Sequence, residues 1–127
     1  MKLLLDTHTT LWTMDDPARL GRRGRQLIED RSHEILISAV VPWEIALKMN
    51  RGKLAPHALV TNFLKVIQAQ EFTFVQIHPL HAIRSALLPF HHRDPFDRLL
   101  AAQSLDLDVP LISNDAIFDR YGVERIW

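Results

Sequence analysis

"KLLLD", residues 2–6, is the stretch on which the fold turns. A lysine, three leucines and an acid make too short an apolar run for an ordinary helix, and the run lacks the alternation of a half-exposed strand. It reads as a buried strand that ends in Asp6. Four further runs share this character: "EILIS" (34–38), "FTFVQI" (72–77), "VPLIS" (109–113) and the short "VERI" (123–126). Between them lie patterns of helical period, at roughly 8–14, 18–30, 40–50, 57–70, 79–88 and 95–105. Gly52 follows the third of these, and Pro56, Pro79 and Pro95 stand at or near helix starts, where a missing N–H is tolerated. Strands that alternate with helices require crossovers, so the expected class is α/β with a mostly parallel five-stranded sheet covered on both faces. No repeat, low-complexity tract or Gly/Ser-rich linker interrupts the pattern, and residues 1–127 are expected to form one domain.

Composition narrows the chemistry. The chain has 127 residues, 47% of them hydrophobic, which is enough for a sizeable core. It has no cysteine, which excludes disulfides and thiolate zinc sites and makes a reducing, cytoplasmic setting the expectation. "MKLLLDTH" is too short an apolar run for a signal peptide, and the nine residues of "ILISAVVPW" are too few to span a bilayer, so no membrane partner is expected. Fifteen basic residues balance fifteen acidic ones, so no global field draws the chain to nucleic acid. Basic residues do gather at Arg19, Arg22, Arg23 and Arg25, at Lys48, Arg51 and Lys53, and at Arg93 and Arg98. Each group is also what a solvated helix face looks like.

The acids are more informative. In parallel sheets, sites form beyond the carboxyl ends of the strands. Asp6 ends the first strand and Asp115 lies just past the fourth, in "LISND". Glu44 falls early in the helix leaving the second strand. In "HHRDPFDRLL" (91–100), Asp94 and Asp97 flank Pro95 at the start of a helix, where either could cap it or carry chemistry. A helix start before a strand is expected at the opposite edge of the sheet; because this helix follows another, pattern alone does not fix its direction. Capping also accounts for Asp6 and Asp115 singly, and Glu44 with Lys48 forms an ordinary i,i+4 pair. Together the four mean more. If they converge, unit charges about 4 Å apart at an effective dielectric of about 20 repel by about 4 kcal/mol per pair. Such a cluster needs bound cations or raised pKa values, and all-oxygen sites select hard ions such as Mg²⁺ or Mn²⁺. The seven histidines include no HExxH pattern, and no histidine metal site is expected. His8, beside Asp6, is a packed residue or a substrate contact.

At these residues the chain resembles the PIN-domain family, most closely the VapC-like toxins of bacterial toxin–antitoxin pairs. "LLLDTH", "SAVVPWEIALK", "HHRDPFDRLLAAQS" and "LISND" match its motifs in order, and the "YGVERIW" ending is also similar. The resemblance implies a three-layer α/β/α fold and a metal-dependent endonuclease that cuts single-stranded or loop RNA and is restrained by an antitoxin. It implies an acidic quartet of Asp6, Glu44, Asp97 and Asp115, serving as catalytic residues and as ligands of Mg²⁺ or Mn²⁺, with Asp94 left as the cap. The chain departs from the family pattern in "VVPW", where Pro42 bears on the reach of Glu44. Thr7 and Ser113 flank the acids and are expected to orient them, while Lys48 and Arg93 are expected to touch phosphate. A homodimer is a further implication. Leu11, Trp12, Met14, Phe63, Leu64 and Ile67 could form an antitoxin groove, or simply core. Two alternatives share this outline: a phosphoacceptor, receiver-like Mg²⁺-binding signalling domain, and a PIN-like scaffold that binds RNA without cutting it. The first would carry paired acids after the first strand and a lysine after the fifth, and neither is present.

Overall fold

A computed structural model describes all 127 residues. The strands are β1 (Lys2–Leu5), β2 (Glu34–Ser38), β3 (Thr73–Val75), β4 (Leu111–Ile112) and β5 (Arg125–Ile126). They form one sheet in the order β3-β2-β1-β4-β5, and every pairing is parallel. Leu4 sits between Leu36 of β2 and Leu111 of β4, which fixes the register at the centre.

Successive strand residues point to opposite faces, so the uninterrupted leucines of β1 serve two cores. Leu3 and Leu5 pack with Ile35, Ile37, Val41, Ile45 and Leu59 on one face. Leu4 and Leu36 pack with Leu99, Leu100, Ala101, Leu111 and Phe118 on the other. Burying each such leucine stabilises the fold by about 1.5–3 kcal/mol, which is why a four-residue strand suffices. The helices are α1 (Thr7–Asp15), α2 (Arg22–Glu29), α3 (Val40–Asn50), α4 (Ala58–Thr61), α5 (Phe63–Ala69), α6 (Pro79–Leu87) and α7 (Pro95–Leu107). The three-layer α/β/α arrangement expected from sequence is the one observed.

Two expected helices are each broken. The 18–30 segment becomes a 3₁₀ turn, Pro17–Arg19, followed by α2, because Gly21 is extended at φ −62°, ψ 151°. A Cβ on Gly21 would stand 2.5 Å from the backbone of Trp127, so the break and the close approach share one residue. The 57–70 segment divides at Asn62, which leaves helical geometry at φ −150°, ψ 46°. Residues 72–77, 109–113 and 123–126 yield strands of only three, two and two residues; beside β4 Pro110 has no N–H to give, although its carbonyl still accepts from Leu4 and Ser113 donates to Ile126.

The direction that pattern left open for the helix opening at Asp97 follows from the topology. A helix that returns the chain to the amino end of a parallel strand must itself start at the carboxyl edge. Accordingly α7 ends at Asp108, in left-handed geometry just before β4, and its first turn lies beside the ends of β1 and β4. Of the six residues that could have lined a groove, Leu11, Met14, Phe63 and Ile67 pack on the core, Trp12 is partly buried against Trp127, and Leu64 is exposed. No helix is long and apolar enough to cross a membrane.

Candidate metal centre

At the carboxyl edge of the sheet a cleft of about 450 Å³ is lined by Asp6, Thr7, His8, Trp12, Glu44, Asp97, Asn114 and Asp115. The four acids singled out in the sequence therefore share one cavity. Asp6 arrives at the end of β1, where its backbone N–H donates to the carbonyl of Ile112 on β4 (3.3 Å). Its Oδ1 accepts from the N–H of Thr9 (2.8 Å) and so caps α1. Asp115 likewise caps the 3₁₀ segment Ala116–Tyr121, accepting from the N–H of Ile117 (3.1 Å) through Oδ1. Capping and facing the cleft are not exclusive, because a cap engages one carboxylate oxygen and leaves the other. Asp94 shows the division expected of it: it caps α7 from outside the cleft, accepting from Phe96 and Asp97.

Glu44 is 7% exposed and is held at both oxygens. The Thr7 hydroxyl donates to Oε1 (2.8 Å) and the Lys48 ammonium lies 2.9 Å from Oε2. Pro42 does not divert it. At the third position of α3 a proline removes an N–H that no intrahelical carbonyl would accept, and the regular ladder starts with Trp43 donating to Ala39. Trp43, half exposed, packs edge-on against Phe96 at 4.7 Å and ties the first turn of α3 to that of α7.

Electrostatics separate the acids. Burial pushes the Asp6 carboxyl above the usual carboxylate range, against opposing hydrogen bonds from Ser113 and Thr9. Burial likewise raises Asp97, to about 7, with the charges of Asp94 and Asp6 adding to the shift and the hydrogen bond from His92 resisting it. His92 Nε2 lies 2.7 Å from Asp97 Oδ2. Sequence reasoning passed over His92, although it stands five residues before Asp97; what was missing was the chain reversal that turns it back. Ligand atoms of His92, Asp94 and Asp97 come within 4.8 Å of one another, a second grouping able to hold a metal. Asp94 accepts both N–H groups there through Oδ1, and since neither it nor His92 lines the cleft the two groupings meet only at Asp97.

Of the flanking residues, Thr7 lines the cleft, and buried Ser113 accepts from the N–H of Asp115 (3.0 Å). Lys48 reaches the cleft only through Glu44, and Arg93 is exposed and does not line it. Arg98 is no surface cation: it is 5% exposed and donates to the carbonyls of Ser85, Leu88, Pro89 and His92. The donor set is oxygen-rich, with Lys48 the one cation paired to it, and suits a hard divalent ion.

The chain is similar to several known proteins. Ribonuclease VapC22 of Mycobacterium tuberculosis is 28% identical over 114 residues, which cover 89% of this chain and 86% of that protein. VapBC2 from Rickettsia felis, bound to a DNA fragment from their promoter, superposes with a TM-score of 0.69 at 14% identity, over 99% of this chain and 98% of that one. DNA-bound VapBC from Salmonella typhimurium gives 0.70 at 17% identity, over 99% and 97%. These distant superpositions establish the fold. The model of the PIN domain matches residues 3–124, and the chain belongs to the PIN-domain family.

Proposed function

We propose that this chain is a metal-dependent endoribonuclease toxin, acting on single-stranded or loop RNA and neutralised by a cognate antitoxin. The observation that carries the reading is the convergence of Asp6, Glu44, Asp97 and Asp115 on one cleft at the carboxyl edge, with two of them held above the usual carboxylate range by burial. A homologue named as a ribonuclease and structural neighbours that are toxin–antitoxin complexes support the same reading. Chains of this kind are expected to work as homodimers.

Asp6 and Asp97 are the proposed principal ligands of Mg²⁺ or Mn²⁺, with Asp115 and Glu44 completing the site. When bound, such a cation supplies charge to offset a phosphate oxygen and acidity to activate a water. The chain's own residues supply position. Thr9 and Ser113 hold Asp6, and Thr7 and Lys48 hold both oxygens of Glu44. His92 Nε2 keeps Asp97 oriented through the hydrogen bond at its Oδ2. Water adds to phosphorus as the bond to the 3′ oxygen breaks, so the expected products carry 5′-phosphate and 3′-hydroxyl ends.

Incubating the purified chain with single-stranded RNA, in Mn²⁺ or in chelator, tests this. Cleavage that requires the cation and disappears in Asp6→Asn and Asp97→Asn supports the reading. Cleavage that persists in both variants overturns it.

A further inference from the structure

Several exposed cations take part in no ion pair, Arg51, Lys53 and Arg93 among them, and on one surface outside the cleft such cations also meet aromatic rings. Arg25 pairs with Glu29, Arg31 with Glu71, Lys48 with Glu44 and Arg125 with Asp119. Arg19, Arg22 and Arg23 are exposed and take part in none of the ion pairs. Ring contacts join these three to the cleft. His8 and Trp12 line it with their rings stacked 5.6 Å apart, and the Arg19 guanidinium lies 4.7 Å over Trp12. Trp12 meets Trp127 at 5.8 Å, and Trp127 lines a shallow depression together with Arg22 and Arg23. The glycine at 21 lets α2 come this close to Trp127.

A polyanion entering a cleft of carboxylates meets repulsion, and a chain of zero net charge offers no compensating field. Affinity for the strand must then come from beside the cleft. Aromatic faces that stack bases, interleaved with cations that hold phosphates, are the means by which single strands are bound without sequence preference. We propose that the α1–α2 face binds the single-stranded flank of the RNA whose cut phosphate lies in the cleft, with bases against His8 and Trp12 and phosphates on Arg19, Arg22 and Arg23. This rests on the ribonuclease reading. An acidic peptide would engage the arginines but has no use for a ring path running unbroken into the cleft, which favours nucleic acid.

The test is fluorescence anisotropy of a labelled single-stranded RNA of about a dozen nucleotides, in chelator and over a salt series, with wild type and the Arg22→Gln/Arg23→Gln variant. Cleavage of that RNA and of a much shorter one, in Mn²⁺, is measured alongside. Loss of two phosphate contacts should weaken binding about tenfold and lower the slope of log K against log salt by about 1.4. KM for the long RNA should rise while turnover of the short one stays at the wild-type value. If the wild type does cleave and the variant keeps its affinity and salt slope, the α1–α2 assignment alone is overturned. Absence of both binding and cleavage in the wild type would instead overturn the ribonuclease reading beneath it. If the variant binds RNA normally but loses a poly-glutamate peptide that wild type binds, the face serves a protein partner and the proposal fails.

Discussion

The two edges of the sheet carry depressions of similar size and opposite electrostatics. At the amino edge, about 390 Å³ is lined by residues that include Glu29, Asp30, Arg31, His33 and Glu71. Arg31 pairs with Glu71 at 2.7 Å and Arg25 with Glu29 at 2.7 Å. Asp30 accepts from the backbone and hydroxyl of Ser32, which hold its carboxyl below the usual range. At the carboxyl edge, Asp6 and Asp97 are shifted the other way. Acid count does not distinguish the edges. What does is whether the protein supplies the balancing charge itself, as at the amino edge, or leaves it to be supplied from outside.

The comparison breaks most clearly under substitution. Asp97→Asn and Asp6→Asn should each lower RNA cleavage at least about a hundredfold, whereas Asp30→Asn should leave it at the wild-type rate; equal losses at both edges would mean a general effect on folding.

Calorimetry over pH comes next. Asp6 and Asp97 have folded pKa values above the ordinary value of 3.8, so the folded state binds the extra protons, and without cation their contribution to stability is lost as pH rises through the folded values, for Asp97 from about 4 to about 7. Mn²⁺ replaces those protons, so its Tm increment should grow over the same window to several degrees, following the about 2.7 kcal/mol expected at a hundredfold excess over Kd. Asp30 has the opposite sign: its contribution is present above its unfolded pKa and is lost as pH falls through the lowered folded value. Asp97→Asn should therefore flatten the dependence near neutrality, and Asp30→Asn should alter only the acid end.

His92→Gln removes an interaction that holds Asp97 down. Asp97 then rises further, the acid limb of the cleavage profile moves to higher pH, and the rate at pH 7 should fall about tenfold, with recovery in more alkaline buffer. An unmoved limb would show that His92 does not act through Asp97. The smallest effect separates two threonine–glutamate hydrogen bonds of equal length. Thr7 donates to buried Glu44 and Thr73 to exposed Glu34, both at 2.8 Å. Thr7→Val should cost about 1–3 kcal/mol in chemical unfolding by leaving a buried acceptor short of a donor, and Thr73→Val about zero.

Much of this was legible in the chain itself. The bounds of β2 and α3 coincide with the sequence pattern because "EILIS" and the helix after it are decided by local burial and period. Asp6 and Asp115 were legible because they stand at or just past strand ends, where sites form in parallel sheets, whereas Glu44 and Asp97 lie on helices and Asp97 in particular was assigned through the family resemblance. Gly21 and Asn62 were not recognised as breaks, since one depends on contact with Trp127, more than a hundred residues away, and the other on packing of short helices. His92 and Arg98 were misjudged for a shared reason. Nothing in the spacing of "LLPFHHRDPFDR" says that the segment folds back over the first turn of α7, and that turn decides which of its cations are buried.

That backfolded segment is wrapped around a guanidinium. Arg98 donates to Ser85 and Leu88 at 2.8 Å and to Pro89 at 2.9 Å, and it lies 4.4 Å beneath the Phe90 ring. The planar fork of that group donates in several directions at once and cannot be reproduced by an ammonium. The loop bearing His92 is therefore held by a group that takes no part in the pair between His92 and Asp97, in which burial raises the carboxyl to about 7. Protons can come and go at the mouth of the cleft without reshaping its wall.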